Sequence, residues 1–179
     1  MKIKIKNVTV GPVVEESLSE IKGSVLVNEL DSNLTFEGSI ANEIVGICGR
    51  DIKEESKHIF KKLPVSVGSV FITDEPVIIH VVVCEQRKKS DYLELCDAVK
   101  NSILLAETNQ INSITFPPIG SGVGQLSLKE AIFTVMEHIE CVVYNASFEY
   151  LRNIGFCARN PEEKQVFDIY WNEVFGKIL

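Results

Sequence analysis

Gly120, Gly122 and Gly124 occupy alternate positions in the stretch FPPIGSGVGQL, Phe116 to Leu126. Glycine is used where backbone bends through positive φ or approaches something closely. An apolar run, Ile111 to Phe116, precedes the stretch, and a helix-like run, Leu128 to Ile139, follows it. Loop N–H groups, joined by the free N–H groups of a helix start, make an anion site. A tight connection is the alternative, and the loop by itself does not decide between the two. A second loop, Glu29 to about Ser39, follows the strand-like VLVN and occupies the same kind of position.

The elements that would hold these loops are legible from patterning. Short β-branched runs alternate with amphipathic helical patterns along the whole chain. Strands are expected at Lys2 to Val10, Ser24 to Asn28, Ser69 to Thr73, Val77 to Cys84, Ser113 to Phe116 and Glu140 to Tyr144. Continuous apolar runs such as VIIHVVV fit strands covered on both faces. Helix starts carry capping-box pairs at Asp51 with Glu54, Asp91 with Glu94 and Ser127 with Glu130. Asn160, Pro161 and Glu163 mark another start, with Gly176 as its stop. Strands alternating with helices imply a mixed sheet with helices on both faces. In such folds ligands collect where the carboxyl ends of strands lead into helices.

With 179 residues, 45% hydrophobic and 24% charged, the chain suits one globular α/β domain. The net charge of −7 argues against general nucleic-acid or anionic-membrane binding. No apolar stretch approaches a membrane span, and the start MKIKIKNVTV reads as a strand, so a cytoplasmic protein is expected. The five cysteines are widely spaced without a C-x-x-C pair, and the three histidines never fall at ligand spacing. Buried thiols and no metal are the reading.

From about Gly23 to Tyr150 the chain resembles the macro domain family. NSITFPPIGSGVGQLSLKEAI is similar to the family's S-I-x-F-P-x-I-G-T-G-x-x-G stretch, with Ser121 for the usual Thr. VGSVFIT, VIIHVV and CDAVKNSILLAET resemble further family segments. The resemblance implies a three-layer α/β/α sandwich with a mixed, mostly parallel central sheet and a cleft for ADP-ribose. Some members read that group and others hydrolyse ADP-ribosyl esters or O-acetyl-ADP-ribose. Carried over by position, the main-chain N–H groups of Gly120, Ser121, Gly122 and Val123 would wrap a diphosphate, flanked by Pro118, Ile119 and Gly124. Gly38 and Ile40 would line the cleft from the second loop. Tyr144, taken as the end of the last strand, matches the aromatic that stacks on adenine or caps the distal end of the cleft.

The departures from the family pattern are as informative. Hydrolytic members carry V-N-A-A-N-S-x-L-x-G-G-G-G-V-D-G-A-I where this chain has VNELDSNLTFEGSIANEI. The ribose-binding Asn becomes Asp31, which when ionised only accepts hydrogen bonds. Three loop glycines become Phe36, Glu37 and Ser39, and the acidic residue implicated in hydrolysis becomes Ala41. The family's adenine-binding Asp follows a Gly after the first strand; the nearest match is Gly11, Pro12 and Val13, with Glu15 and Glu16 nearby.

A binding module for ADP-ribose or a related nucleotide diphosphate, without hydrolase activity and without a cofactor, is therefore expected. The alternatives are a hydrolase using Asp31 or Glu37 as general base, and a structural or interaction protein that has lost its ligand. The tail from Ile154 to Leu179 lies beyond the resemblance and is read as an appended helix. Its apolar stripe of Val166, Ile169, Tyr170, Val174 and Phe175, with Trp171 beside it, suits packing on the parent domain or a homodimer surface.

Overall fold

A computed structural model describes residues 1–48, 52–61 and 65–176. Seven strands form one sheet: β1 (Ile3–Ile5), β2 (Val8–Glu15), β3 (Val25–Asp31), β4 (Val70–Asp74), β5 (Val77–Cys84), β6 (Ser113–Phe116) and β7 (Asn153–Ala158). Their order is β1-β2-β7-β6-β3-β5-β4. The five inner strands run parallel, while β1 and β4 pair antiparallel at the two edges. The helices are α1 (Ser39–Cys48), α2 (Ile52–Phe60), α3 (Tyr92–Thr108), α4 (Leu128–Asn145) and α5 (Pro161–Val174).

Two apolar cores lie on opposite faces of this sheet. Val27, Val81, Ile114 and Phe156 point to one face, where they meet α3, α4 and α5 through Leu95, Val99, Ile132, Val135 and Trp171. Leu26, Leu30, Ile78 and Val82 point to the other, under Ile40 and Ile44 of α1 and Ile52 of α2. Alternate residues of a strand face opposite sides, so a strand buried on both is apolar throughout. This is the three-layer α/β/α sandwich with a mixed, mostly parallel sheet that the family resemblance implies.

Most expected strands are present: Val77–Cys84 and Ser113–Phe116 keep their bounds, and the strand expected to end at Asn28 runs on to Asp31. The first splits into a hairpin at Lys6, where φ is 53°. The capping boxes at Asp91 with Glu94 and Ser127 with Glu130 both form, and Asn160 accepts from the Glu163 amide. Asp51, the proposed cap before α2, lies outside the described residues.

The segment Glu140 to Tyr144 is not a strand but the last part of α4. Its pattern is locally ambiguous, because a short apolar run suits either a strand or one buried helical face. Helix wins because Ile139 and Val143 continue the stripe set by Ile132, Val135 and Met136, all of which enter the core. The outer face carries Cys141, the one exposed thiol among five free cysteines.

The last strand is β7, which lies inside the sheet between β2 and β6. The segment read as an appended helix therefore supplies a central strand as well as α5. That helix packs on the domain by a stripe centred on Phe167 and Trp171, leaving Ile169 exposed. Trp171 explains Gly11. The glycine sits within β2, not after it, and any Cβ there would collide with the indole ring.

Candidate functional site

β3 and β6 are neighbours, yet their connections leave for opposite faces of the sheet. The chain passes from β3 into α1 on one side and from β6 into α4 on the other. This is a topological switch point, where an open α/β sheet forms its ligand crevice. The two loops singled out in the sequence are therefore brought together.

The β6–α4 loop is held as a compact turn. Its amide at Ser121 and the Ser121 hydroxyl both donate to the Pro118 carbonyl, at 3.2 and 2.6 Å. The Leu126 amide closes the loop on the Gly120 carbonyl at 2.9 Å. Gly120 takes φ +93°, and a Cβ there would strike Leu95 of α3. The Ser90 amide and the Cys84 thiol pin the loop from the β5–α3 side through Gly124 and Val123 carbonyls. Pro118, Ile119, Gly120 and Gly124 are buried, while Ser121, Gly122 and Val123 are half-buried. So the loop is a tight connection, and its Ser121 amide is spent within its own turn.

The Gly120 amide faces an anion supplied by the protein itself. Glu29 is fully buried near the end of β3, pointing to the α3 side of the sheet beneath the loop. Its Oε2 accepts from the Gly120 amide at 2.6 Å. Its Oε1 has no hydrogen-bond partner among the described residues. A methyl group built on Gly122 would collide with that Oε1, so any side chain there would have to displace the carboxyl beneath it. Burial pushes the Glu29 carboxyl up to about 7, opposed by the Gly120, Gly122 and Val123 amides and by the Arg159 charge. Of these amides, Gly120 alone makes a well-formed hydrogen bond to the carboxylate.

The β3–α1 loop is anchored by Asp31. Its Oδ1 accepts from the amides of Asn33 and Thr35, each at 3.1 Å, and its Oδ2 from the Thr35 hydroxyl at 2.9 Å. The side chain staples its own loop and is 5% exposed. Phe36 keeps a left-handed φ of 54° although it is not glycine. Its ring turns into the core, edge-on to His80 at 5.6 Å between centroids, rather than into the cleft. Ile40 and Ala41 are likewise buried in that core. Glu37 is exposed, and Gly38 approaches Val123 across the gap. Between the loops remains a cavity of about 240 Å³, lined in part by Asp31, Glu37, Arg87, Gly122 and Gln125.

Asn28 and His80 fill the opposite face. With the Asn28 amide nitrogen toward the ring, Nδ1 of His80 accepts at 3.0 Å, which leaves Nε2–H to donate to Thr73 Oγ1 at 3.1 Å. The ring also stacks on Phe71. Burial pushes its pKa down to about 3, so it is a neutral core histidine.

Tyr144 does not reach this site. It lies in the last turn of α4, 63% exposed, whereas the cleft is at the first turn. At ~1.5 Å per residue the helix separates them by roughly 24 Å. The residue that leaves the last strand is Arg159, whose guanidinium donates to Ser39 Oγ of α1 and pairs with Glu163 of α5. Glu15 and Glu16, not Gly11, leave β2 beside it, since the Glu16 amide donates to the Ala158 carbonyl. Sequence reasoning passed over both Glu29 and Arg159. The available signal for Glu29 was an acid inside a strand buried on both faces, which requires a partner.

The macro domain family model matches residues 27–135. The chain is 34% identical over 113 residues to an uncharacterised protein of Pyrobaculum aerophilum, covering 59% of this chain and 61% of that one. It thus spans less than two thirds of that relative's length. To an uncharacterised protein of Saccharolobus solfataricus it is 31% identical over 169 residues, covering 90% of this chain and 92% of that one. The Oceanobacillus iheyensis macrodomain with ADP shares the fold, with a TM-score of 0.85 at 18% identity over 99% of this chain and 97% of that one. A family match over more than half of the residues, on a sheet whose crevice carries the family's glycine loop, leads to one assignment: the chain belongs to the macro domain family.

Proposed function

We propose that this macro domain binds ADP-ribose or a related nucleotide diphosphate in the cleft between the β3–α1 and β6–α4 loops, and does not hydrolyse it. The observation that carries this reading is the Gly120 amide, 2.6 Å from a carboxylate oxygen. An amide that already accommodates a buried carboxylate oxygen has the chemistry to hold a phosphate oxygen. The ADP in the Oceanobacillus iheyensis macrodomain structure, on the same fold, supports the ligand class.

Non-hydrolytic binding is favoured by the fate of the candidate acids. Both Asp31 oxygens are engaged by Asn33 and Thr35, which opposes a general-base role. Ala41, at the position of the family's acidic residue, is buried in the core. A second reading, a fold that no longer takes a ligand, is favoured by one observation: Glu29 already occupies the cradle while Gly38 packs on Val123.

Calorimetric titration with ADP-ribose at pH 6 separates the two. Micromolar binding that Gly122→Glu abolishes is the expected result. No heat at millimolar ligand would sink the first reading and leave the second. A turnover assay on ADP-ribosylated protein is expected to stay at background; activity lost in Asp31→Ala would restore the hydrolase.

A further inference from the structure

We infer that the Glu29 side chain is a built-in competitor for the N–H groups of the β6–α4 loop, so that an anionic ligand enters this cleft together with one proton. The inference rests on the cleft being the ligand site proposed above and adds what governs its affinity.

Three observations meet at this residue. The carboxyl is fully buried and takes the Gly120 amide that a phosphate oxygen would need. Its second oxygen lies against Gly122 without a hydrogen-bond partner among the described residues. The loop is held in place, because Ser90 and Cys84 pin it from the β5–α3 side and its own Leu126 amide closes it on the Gly120 carbonyl. Gly122 lines the cavity and lies directly over Glu29, so a diphosphate seated against Gly122 has the carboxylate charge beneath that residue. At an effective dielectric of ~20, like charges ~4 Å apart repel strongly compared with the gain from one amide. Protonation removes the repulsion and weakens the carboxyl as a competing acceptor. The free oxygen then carries an O–H able to donate to the ligand. The balance is one ionised carboxyl, one proton from solvent and one ligand giving one neutral carboxyl in the complex.

The other titratable groups around Glu29 leave it as the group that changes charge. From β5, Cys84 is pushed up to about 12 by burial and by the charges of Asp31, Glu29 and Glu94, so it stays a thiol. Asp31 lies two residues on along β3 and Glu94 in the first turn of α3. Arg159, beyond β7, favours the ionised carboxylate. Glu29 itself titrates near neutrality, which places the effect within ordinary assay conditions.

The test is calorimetric titration of ADP-ribose into wild type, Glu29→Gln and Glu29→Ala from pH 6 to pH 8.5. ADP-ribose suits this because its diphosphate is esterified at both ends, so each phosphate keeps a single charge and the total is constant across the range. Each titration is repeated in two buffers of different ionisation enthalpy to count protons. Expected for wild type is a roughly tenfold loss of affinity per pH unit above pH 7.5, the slope of a single linked proton, with uptake approaching one proton per ligand. Expected for both variants is affinity independent of pH and at least tenfold tighter than wild type at pH 8.5. Wild-type binding that ignores pH and takes up no proton overturns the inference and leaves the binding function intact. Absence of binding by all three proteins at pH 6 overturns the binding function, and the inference with it. Glu29→Gln keeps the side-chain shape, so a folding defect confined to Glu29→Ala does not decide the outcome.

Discussion

Glu29→Gln should stabilise the protein at pH 8 and do little at pH 4. In the fold the carboxyl titrates at about 7, against 4.5 in an exposed chain. A group whose folded pKa lies above its unfolded value holds more protons when folded across that window. Its contribution is therefore fully present below 4.5 and lost as pH rises through 7. At ~1.36 kcal/mol per pH unit, the interval amounts to about 3 kcal/mol of stability that the wild type forfeits by pH 8. Gln cannot ionise, so it forfeits none of it. For a domain of this size ~3 kcal/mol corresponds to roughly 6–12 °C in Tm. The assay is urea unfolding of both proteins at half-unit steps from pH 4 to pH 8.5. The quantity of interest is variant stability minus wild-type stability, because other titrations cancel in it. It should rise by about 3 kcal/mol between pH 4.5 and pH 8 and then level off. A difference that stays flat, or rises toward acid, would refute the claim that a buried, weakly compensated carboxylate lies under the loop.

The same contact makes Gly122→Ala destabilising, by roughly 1–3 kcal/mol in wild type. In a Glu29→Ala background the penalty should largely vanish, and a double-mutant cycle by chemical denaturation reads the coupling. Asp31→Ala removes three hydrogen bonds from the β3–α1 loop and should cost about 3 kcal/mol in the same assay. Phe36→Ala should cost ~3–5 kcal/mol, because the ring is buried against His80 and Ile44 lies in the same core. His80 has its folded pKa depressed from 6.5 to about 3, so its contribution is present above 6.5 and lost as pH falls. By pH 4.5 that loss is about 3 kcal/mol, opposed in wild type by the gain from Glu29. Urea midpoints should therefore fall more steeply from pH 7 to pH 4.5 in Glu29→Gln than in wild type.

Much of the architecture was legible because it depends on local pattern. VIIHVVV is a strand buried on both faces whatever its neighbours, and β5 has the expected bounds. Asp91 with Glu94 and Ser127 with Glu130 start helices by bonds that span three residues. The glycine loop was found because its turn is built from its own residues. Local pattern failed where two structures suit one run of residues. Glu140 to Tyr144 reads as a strand until the stripe through Ile139 and Val143 is seen to continue α4. The strand at Asn153–Ala158 was passed over, although Ile154, Phe156 and Ala158 alternate correctly, because Gly155 and Cys157 interrupt the usual β-branched composition.

The chemistry of the cleft is another matter. The sequence alone determined that a glycine loop follows one strand and a carboxylate-bearing loop follows another, since each is encoded within about ten residues. Only the tertiary structure decided that Asp31 serves its own loop and that Glu29 serves the other one. The Glu29 to Gly120 bond spans 91 positions. It exists because β3 and β6 lie side by side, and strand order is set by how helices cover both faces rather than by either strand. A buried acid in a strand announces that it needs a partner; where that partner lies is a property of the packed sheet.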